Sequence, residues 1–308
     1  MFKFEVTILG CSSATPIFNR HPTSQWVHIN HTHILLDCGE GTQMQIMRYG
    51  LKASKLSYIF ISHLHGDHYL GLMGLLSSMN LNGRTDPLNL FAPLELEDIL
   101  QQHFRVSESE LKYPLHFFPV NHEPENLTDN VLVETQDFRV SKIPLKHSIA
   151  CNGFLIEEKP GPQKISKETM DTYSIPYDAL AGIKKGQSFI QADGTEISAD
   201  RLLEPKRIPR SYAFCSDTCY LPELKGLLNH VNILYHETTF GHSFLSRAEQ
   251  TYHTTAFQAA QLAKDAEVGK LLMGHFSARY KDLNPLLEEA KEIFPESYLA
   301  LEGQTFSI

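Results

Sequence analysis

The chain has 308 residues, 42% of them hydrophobic and 20% charged, which is enough for one large buried core or two small ones and is ordinary globular composition. A formal net charge of −9 argues against a protein that coats nucleic acid non-specifically, though it leaves room for a local basic patch. No apolar run approaches the roughly 18 residues that span a bilayer, and the N-terminal stretch alternates like a strand rather than a signal peptide, so a cytoplasmic location is the default expectation.

In chain order, short apolar runs predict buried strands at Val6–Leu9, Ile34–Leu36, Tyr58–Ile61, Val131–Val133, Phe138–Leu145, Tyr212–Phe214, Val231–Tyr235 and Lys270–Met273. Apolar residues recurring at three and four predict helices over Leu70–Met79, Leu221–Leu228, Thr255–Ala266 and Pro285–Phe294. Strands alternating with helices place the chain in the α/β class, as a single domain without repeats. Residues 157–210, rich in Pro, Gly, Lys and polar side chains and poor in periodicity, read as an excursion inserted in that domain.

Five cysteines, at 11, 38, 151, 215 and 219, are odd in number and show no C-x-x-C pair, so neither a disulfide framework nor a cysteine-based zinc site is expected. The chemistry gathers instead where apolar runs end, the place where open α/β sheets collect ligands. Tyr58–Ser62 runs into His63, Ile143–Lys146 into His147, Tyr212–Ser216 into Asp217 and Leu271–Gly274 into His275, while two further runs finish at Asp37 and His236.

The segment His63-Leu64-His65-Gly66-Asp67-His68 packs three histidines and an aspartate into six residues. Histidine and carboxylate are the donors of hydrolytic zinc sites, where an open position remains for water. Two histidines two apart in an extended loop point the same way, and a sharp turn at Gly66 would carry Asp67 and His68 to a neighbouring point. We therefore expect His63 and His65 at one ion and Asp67 and His68 at a second. His147 and His275 would complete the sites and Asp217 would bridge them. His21, His28, His31, His33, His103, His116, His122, His230 and His242 read as surface or core residues, and Asp37 as an anchor of the Gly39-Glu40-Gly41 turn.

The hexapeptide from His63 to His68 resembles the signature of the metallo-β-lactamase superfamily. Leu9–Pro16, Leu36–Gln43, His236-Glu237-Thr238-Thr239-Phe240, His253-Thr254-Thr255 and Gly274–Tyr280 resemble the ribonuclease Z family, which processes tRNA 3′ ends. An aspartate at 217 rather than a cysteine resembles the phosphodiesterase side of the superfamily. The resemblance implies a four-layer αββα sandwich, two zinc ions per subunit with manganese or another divalent ion as alternative, and a homodimer. It also implies pre-tRNA as substrate, cut to leave a 3′-hydroxyl on the tRNA and a 5′-phosphate on the trailer. Lys159-Pro160-Gly161-Pro162 and Gly182-Ile183-Lys184-Lys185-Gly186 resemble the ends of the family's tRNA-gripping arm, but Ala181 stands where a second Gly-Pro pair is expected.

On this reading Asp67 orients and deprotonates the attacking water, and His253, polarised by Glu237, protonates the leaving oxygen. His253 also stands where a helix starts, so a local role beside the cap is the plain alternative. Arg279, beside a ligand, would contact a substrate phosphate, or sit on the surface. Lys159, Lys164, Lys167, Lys184, Lys185, Arg201, Lys206, Arg207 and Arg210 form the densest basic region, with Lys184 and Lys185 the candidate RNA contacts. Two other readings stay open: a hydrolase of this fold acting on small phosphodiesters or other esters, and a non-catalytic, metal-stabilised RNA-binding protein.

Overall fold

A computed structural model describes residues 3–17, 19–121, 130–161 and 163–308; His122 and Pro162 lie outside them. The first sheet is built from β1 (Phe4–Gly10), β2 (Ser24–Ile29), β3 (Thr32–Leu36), β4 (Leu56–Phe60), β5 (Leu88–Ala92) and β6 (Leu115–Pro119). The second begins with β7 (Val131–Glu134), β8 (Phe138–Lys146) and β9 (Ala150–Glu158). A small hairpin, β10 (Phe189–Ile190) and β11 (Glu196–Ile197), follows in sequence. The second sheet then resumes with β12 (Ser211–Cys215), β13 (Ile233–Glu237), β14 (Lys270–Gly274) and β15 (Ser297–Leu299), and β16 (Thr305–Ser307) pairs back on β1. The spatial orders are β16-β1-β2-β3-β4-β5-β6 and β15-β14-β13-β12-β9-β8-β7.

Inner strands such as β3 and β13 are buried on both faces because both faces are covered, as expected of sheets buried in layers. From one face of the first sheet Leu9, Leu35, Ile59 and Leu90 join Leu72, Leu75, Leu76 and Met79 of the helix Leu72–Leu81. From the other, Phe60 meets Phe154 of β9 with ring centroids 5.1 Å apart. Tyr212 of β12 donates its hydroxyl to Gln25 of β2, a second tie between the sheets. Helix Ala256–Asp265 covers β13 and β14, so the order helix, sheet, sheet, helix is the αββα sandwich of the metallo-β-lactamase type. Among the described residues no helix is long and apolar enough to cross a membrane.

Contacts divide the chain into two compact units: 1–134, 139–157 and 210–308 form the sandwich, and 135–138 with 158–209 form the other. The second unit has helices Lys167–Tyr173, Leu180–Lys184 and Ala199–Leu202 and its own small core of Ile175, Ile183, Ile197, Ala199 and Leu202. A stretch without readable periodicity thus folds locally, because its helices are too short to show a 3.6-residue pattern.

Several elements depart from expectation. The predicted helix over 221–228 is a 3-10 turn, Pro222–Gly226, opened by proline. Strands β2, β5, β6 and β9 and the helix Glu95–Val106 were not legible, since β2 and β9 bury polar Gln25 and Asn152 and only Leu96 and Leu100 of the helix are buried.

Candidate active site

Strand ends of both sheets converge on one rim of the sandwich, where β4 leads to Ser62 and His63, β8 to His147, β12 to Asp217 and β14 to His275. The chain turns at Gly66 without a left-handed residue. Gly66 opens a single helical turn, Gly66–Tyr69, with His65 extended just before it, and that turn separates His65 from Asp67 and His68. The turn sits against the end of β3 at Gly71, whose N–H donates to the Cys38 carbonyl. A Cβ there would lie 2.1 Å from the Gly39 carbonyl oxygen, so only glycine allows the approach.

The convergence produces three overlapping groups of potential ligand atoms among the described residues, the third being Asp217, His253 and His275, and two of them lie on either side of the Asp217 carboxylate. In the first, His63, His65, His147 and Asp217 bring their donor atoms within 4.8 Å of one another. His65 Nδ1 lies 3.1 Å from Nε2 of His63 and 3.1 Å from Nε2 of His147, and Asp217 Oδ2 faces both of those nitrogens at 3.8 and 3.7 Å. In the second, Asp67, His68 and His275 converge, and Asp217 turns Oδ1 to His68 Nε2 at 3.4 Å and to His275 Nε2 at 3.1 Å. Asp67 Oδ2 stands 3.4 Å from each of the same two nitrogens and accepts from the Ala14 N–H at 2.7 Å.

This donor set fits a pair of divalent cations. Buried imidazole nitrogens that face one another repel as bare lone pairs and need a shared cation or proton. His68 Nε2 and Asp217 Oδ1 are fully buried with no hydrogen-bond partner, an expensive arrangement unless an ion satisfies them.

The outward nitrogens explain why the rings point as they do. Nδ1 of His63 lies 3.0 Å from Ser62 Oγ, Nδ1 of His68 2.7 Å from Asp37 Oδ2, Nδ1 of His147 3.1 Å from the Tyr252 carbonyl and Nδ1 of His275 2.9 Å from Thr239 Oγ1. Such outer contacts leave Nε2 as the inward donor of these four rings. None of the outer partners was identified from sequence. Asp37, read as the anchor of the following turn, instead binds Ser62 N–H, the Ser62 hydroxyl and His68, while Thr42 holds the turn through the Gly39 carbonyl. Asp37, Tyr252 and His275 all have φ near +55°, a region costly for residues with a Cβ and concentrated at functional sites.

Beyond the ligands, Glu237 and His253 meet at 2.8 Å, Oε1 to Nδ1. The same carboxylate accepts from the Thr218 N–H and the Thr239 hydroxyl, so its buried charge is satisfied. Neighbouring His236 does not join it: strand alternation turns it away, fully buried with Nδ1 on the Glu237 carbonyl. Burial pushes the His253 imidazole down, but the Glu237 carboxylate outweighs it and lifts the pKa to about 9. Burial also raises Asp67, yet His68 and His275 hold it well below the usual carboxylate range. His63, His65 and His147 are lowered, foremost by burial.

A cavity of about 520 Å³ opens over this cluster, lined by Ala14, Asp67, His147, Asp217, Tyr252 and His253 among others. Arg279 lies with its guanidinium 4.4 Å from the Phe244 ring centroid and 5.1 Å from that of Phe240. Lys184 and Lys185 are exposed on the second unit. All five cysteines are free, and four are buried.

The family model described as Anti-Pycsar protein Apyc1 matches residues 4–166. Ribonuclease Z of Bacteroides fragilis is 44% identical over 308 residues, covering 100% of both chains. Ribonuclease Z of Cytophaga hutchinsonii is 45% identical over 311 residues, covering 99% of this chain and 96% of its own. The crystal structure of human tRNase Z, short form, superposes with a TM-score of 0.69 at 25% identity, over 99% of each chain. The metallo-beta-lactamase fold protein YhfI from Bacillus subtilis, at 17% identity and a TM-score of 0.68 over all of both chains, shares the fold. Identity of this size over the full length of both chains decides the matter: the chain belongs to the ribonuclease Z family.

Proposed function

We propose that this chain is a zinc-dependent endoribonuclease that removes the 3′ trailer from pre-tRNA, cutting after the discriminator base to leave a tRNA 3′-hydroxyl and a trailer 5′-phosphate. The observation that carries the proposal is Asp217 serving two opposed ligand groups beneath a cavity that also holds His253. His63, His65 and His147 would hold one ion, Asp67, His68 and His275 the other, with Asp217 between them. Two divalent ions there supply Lewis acidity, lowering the pKa of a water and offsetting phosphate charge.

The protein's own groups do the rest. Asp67 orients the attacking water and takes its proton; its contacts to Ala14, His68 and His275 all run through Oδ2, leaving Oδ1 for that task. His253, kept protonated at neutral pH by buried Glu237, delivers a proton to the leaving 3′-oxygen. Arg279 contacts a phosphate of the RNA, its planar guanidinium steadied over Phe244. Residues 157–210 act as the substrate-binding arm of a sandwich domain spanning the chain, with Lys184 and Lys185 on the tRNA backbone. The working form is a cytoplasmic homodimer, a reading supported by exposed Met44, Met47 and Leu81 on neighbouring helices.

The test incubates the protein with a 3′-extended pre-tRNA and, separately, a chromogenic phosphodiester, with and without chelator. Cleavage past the discriminator base that vanishes with chelator and falls on the order of a thousandfold in Asp67→Ala supports the proposal. Cleavage that persists in Asp67→Ala overturns the role of that residue, and cleavage of the small ester alone favours a small-phosphodiester hydrolase.

A further inference from the structure

We infer that Thr239 is a positioning residue whose hydroxyl, aimed by Glu237, decides which nitrogen of His275 faces the ligand cluster. The residue lies just past the end of β13, two positions after Glu237, and is buried. Its Oγ1 sits 2.6 Å from Glu237 Oε2, 2.9 Å from His275 Nδ1 and 3.0 Å from the His275 carbonyl oxygen, with His253 Nδ1 farther off at 3.4 Å.

A hydroxyl has one proton to give and two lone pairs to receive. Glu237 and the His275 carbonyl can only accept, so they compete for that proton. The carboxylate is closer and charged, and charge-assisted hydrogen bonds are roughly twice as strong as neutral ones, so the proton goes to Oε2. Thr239 then presents only lone pairs to His275, and the Nδ1 contact exists only if Nδ1 carries the hydrogen. A neutral imidazole has a single N–H, so Nε2 is left bare.

That outcome is not the one the ring would choose unaided. Nε2 faces Asp217 Oδ1 at 3.1 Å and Asp67 Oδ2 at 3.4 Å, two carboxylates that favour a hydrogen on it. Among the other inward-facing rings, a carboxylate for His68 and a carbonyl for His147 can only accept, while His63 meets the Ser62 hydroxyl, which is itself 2.9 Å from Asp37 Oδ2. At His275 the partner is ambivalent, and Glu237 removes the ambiguity. Glu237 thereby serves both His253 directly and His275 through Thr239.

The inference rests on the metal-site reading above, and its test reads metal rather than turnover. Full-length wild type, Thr239→Val and Thr239→Ser are loaded with zinc, and zinc content and the rate of release to a chromogenic chelator are measured. Thr239→Val, isosteric but without the hydroxyl, should release one of its ions about tenfold or more faster. Thr239→Ser should hold zinc like wild type. Valine release at the wild-type rate overturns the inference, and so does serine release as fast as valine, since packing of the methyl would then be the cause. If Thr239→Val does not fold, Glu237→Gln decides: an amide aimed at Thr239 loses the charged acceptor, so unchanged release overturns the inference and faster release supports it. A wild type that binds no zinc overturns the metal-site reading itself, a result distinct from either variant's behaviour.

Discussion

At the scale of single residues, the chemistry of this protein depends on which atom each side chain turns inward. The identities were readable in sequence: three histidines and an aspartate within six residues, then His147, Asp217 and His275 at the ends of apolar runs. Their orientation was not, because it is set by partners far away in the chain. Asp37 reaches His68 across 31 positions and Tyr252 reaches His147 across 105. Away from the site, one histidine carries a testable pH dependence. Burial pushes the His33 pKa down from the ordinary 6.5 to about 4, aided by His28 and two lysines, while Trp26 donates its indole N–H to Nδ1 at 3.1 Å. The folded pKa lies below the unfolded one, so the unfolded chain takes up the proton first as pH falls. His33 therefore contributes stability that is present above about pH 6.5 and lost as pH drops through about 4. Urea unfolding of wild type and His33→Gln across that window should show wild type losing stability more steeply on acidification; parallel curves would remove His33 from the account.

At the scale of elements, strands with continuous apolar runs were found and strands that bury polar groups were missed. Gln25 in β2 is fully buried because Tyr212 bonds it from the facing sheet, a contact that hydropathy along one strand does not contain. Helix Ala256–Asp265 was visible from its start, where Thr255 and Gln258 form a capping box that local sequence specifies. The helices Thr42–Arg48, which the sequence reading did not include, and Leu72–Leu81 show the reverse: Ile46, Leu75 and Leu76 face the core, yet Met44, Met47 and Leu81 stay largely exposed. Large exposed apolar side chains grouped on adjacent elements are what a self-association surface presents. On the proposed homodimer, the Met44→Glu, Met47→Glu double variant should shift sedimentation from dimer to monomer at micromolar concentration with the fold intact; a dimer in the variant, or a monomer in the wild type, would remove this face from the account.

At the scale of the whole molecule, charge and architecture set how RNA is met. A chain with net charge −9 does not attract a polyanion as a whole, so binding calls for local basic patches. Lys184 and Lys185 stand exposed in the second unit. Each phosphate contact contributes about 0.7 to the slope of log affinity against log salt for single strands and about 0.9 for duplexes. Reversing both lysines to glutamate should weaken pre-tRNA binding and reduce that slope by about one to two, while hydrolysis of a small phosphodiester stays unchanged. An unaltered slope would remove the two lysines from the interface.

Sequence alone determined the α/β class and the candidate ligand residues with their places after strand ends, because those follow from local hydrophobicity and from the chemical character of individual side chains. Tertiary structure decided three things that local pattern cannot encode. Asp217 faces both ligand groups because β12 lies between β9 and β13. Nδ1 of His68, His147 and His275 is engaged from distant segments, which turns Nε2 inward. Residues 158–209, with 135–138, form a compact unit of their own. Each depends on contacts between residues distant in the chain, which exist only once the sheets have closed on one another.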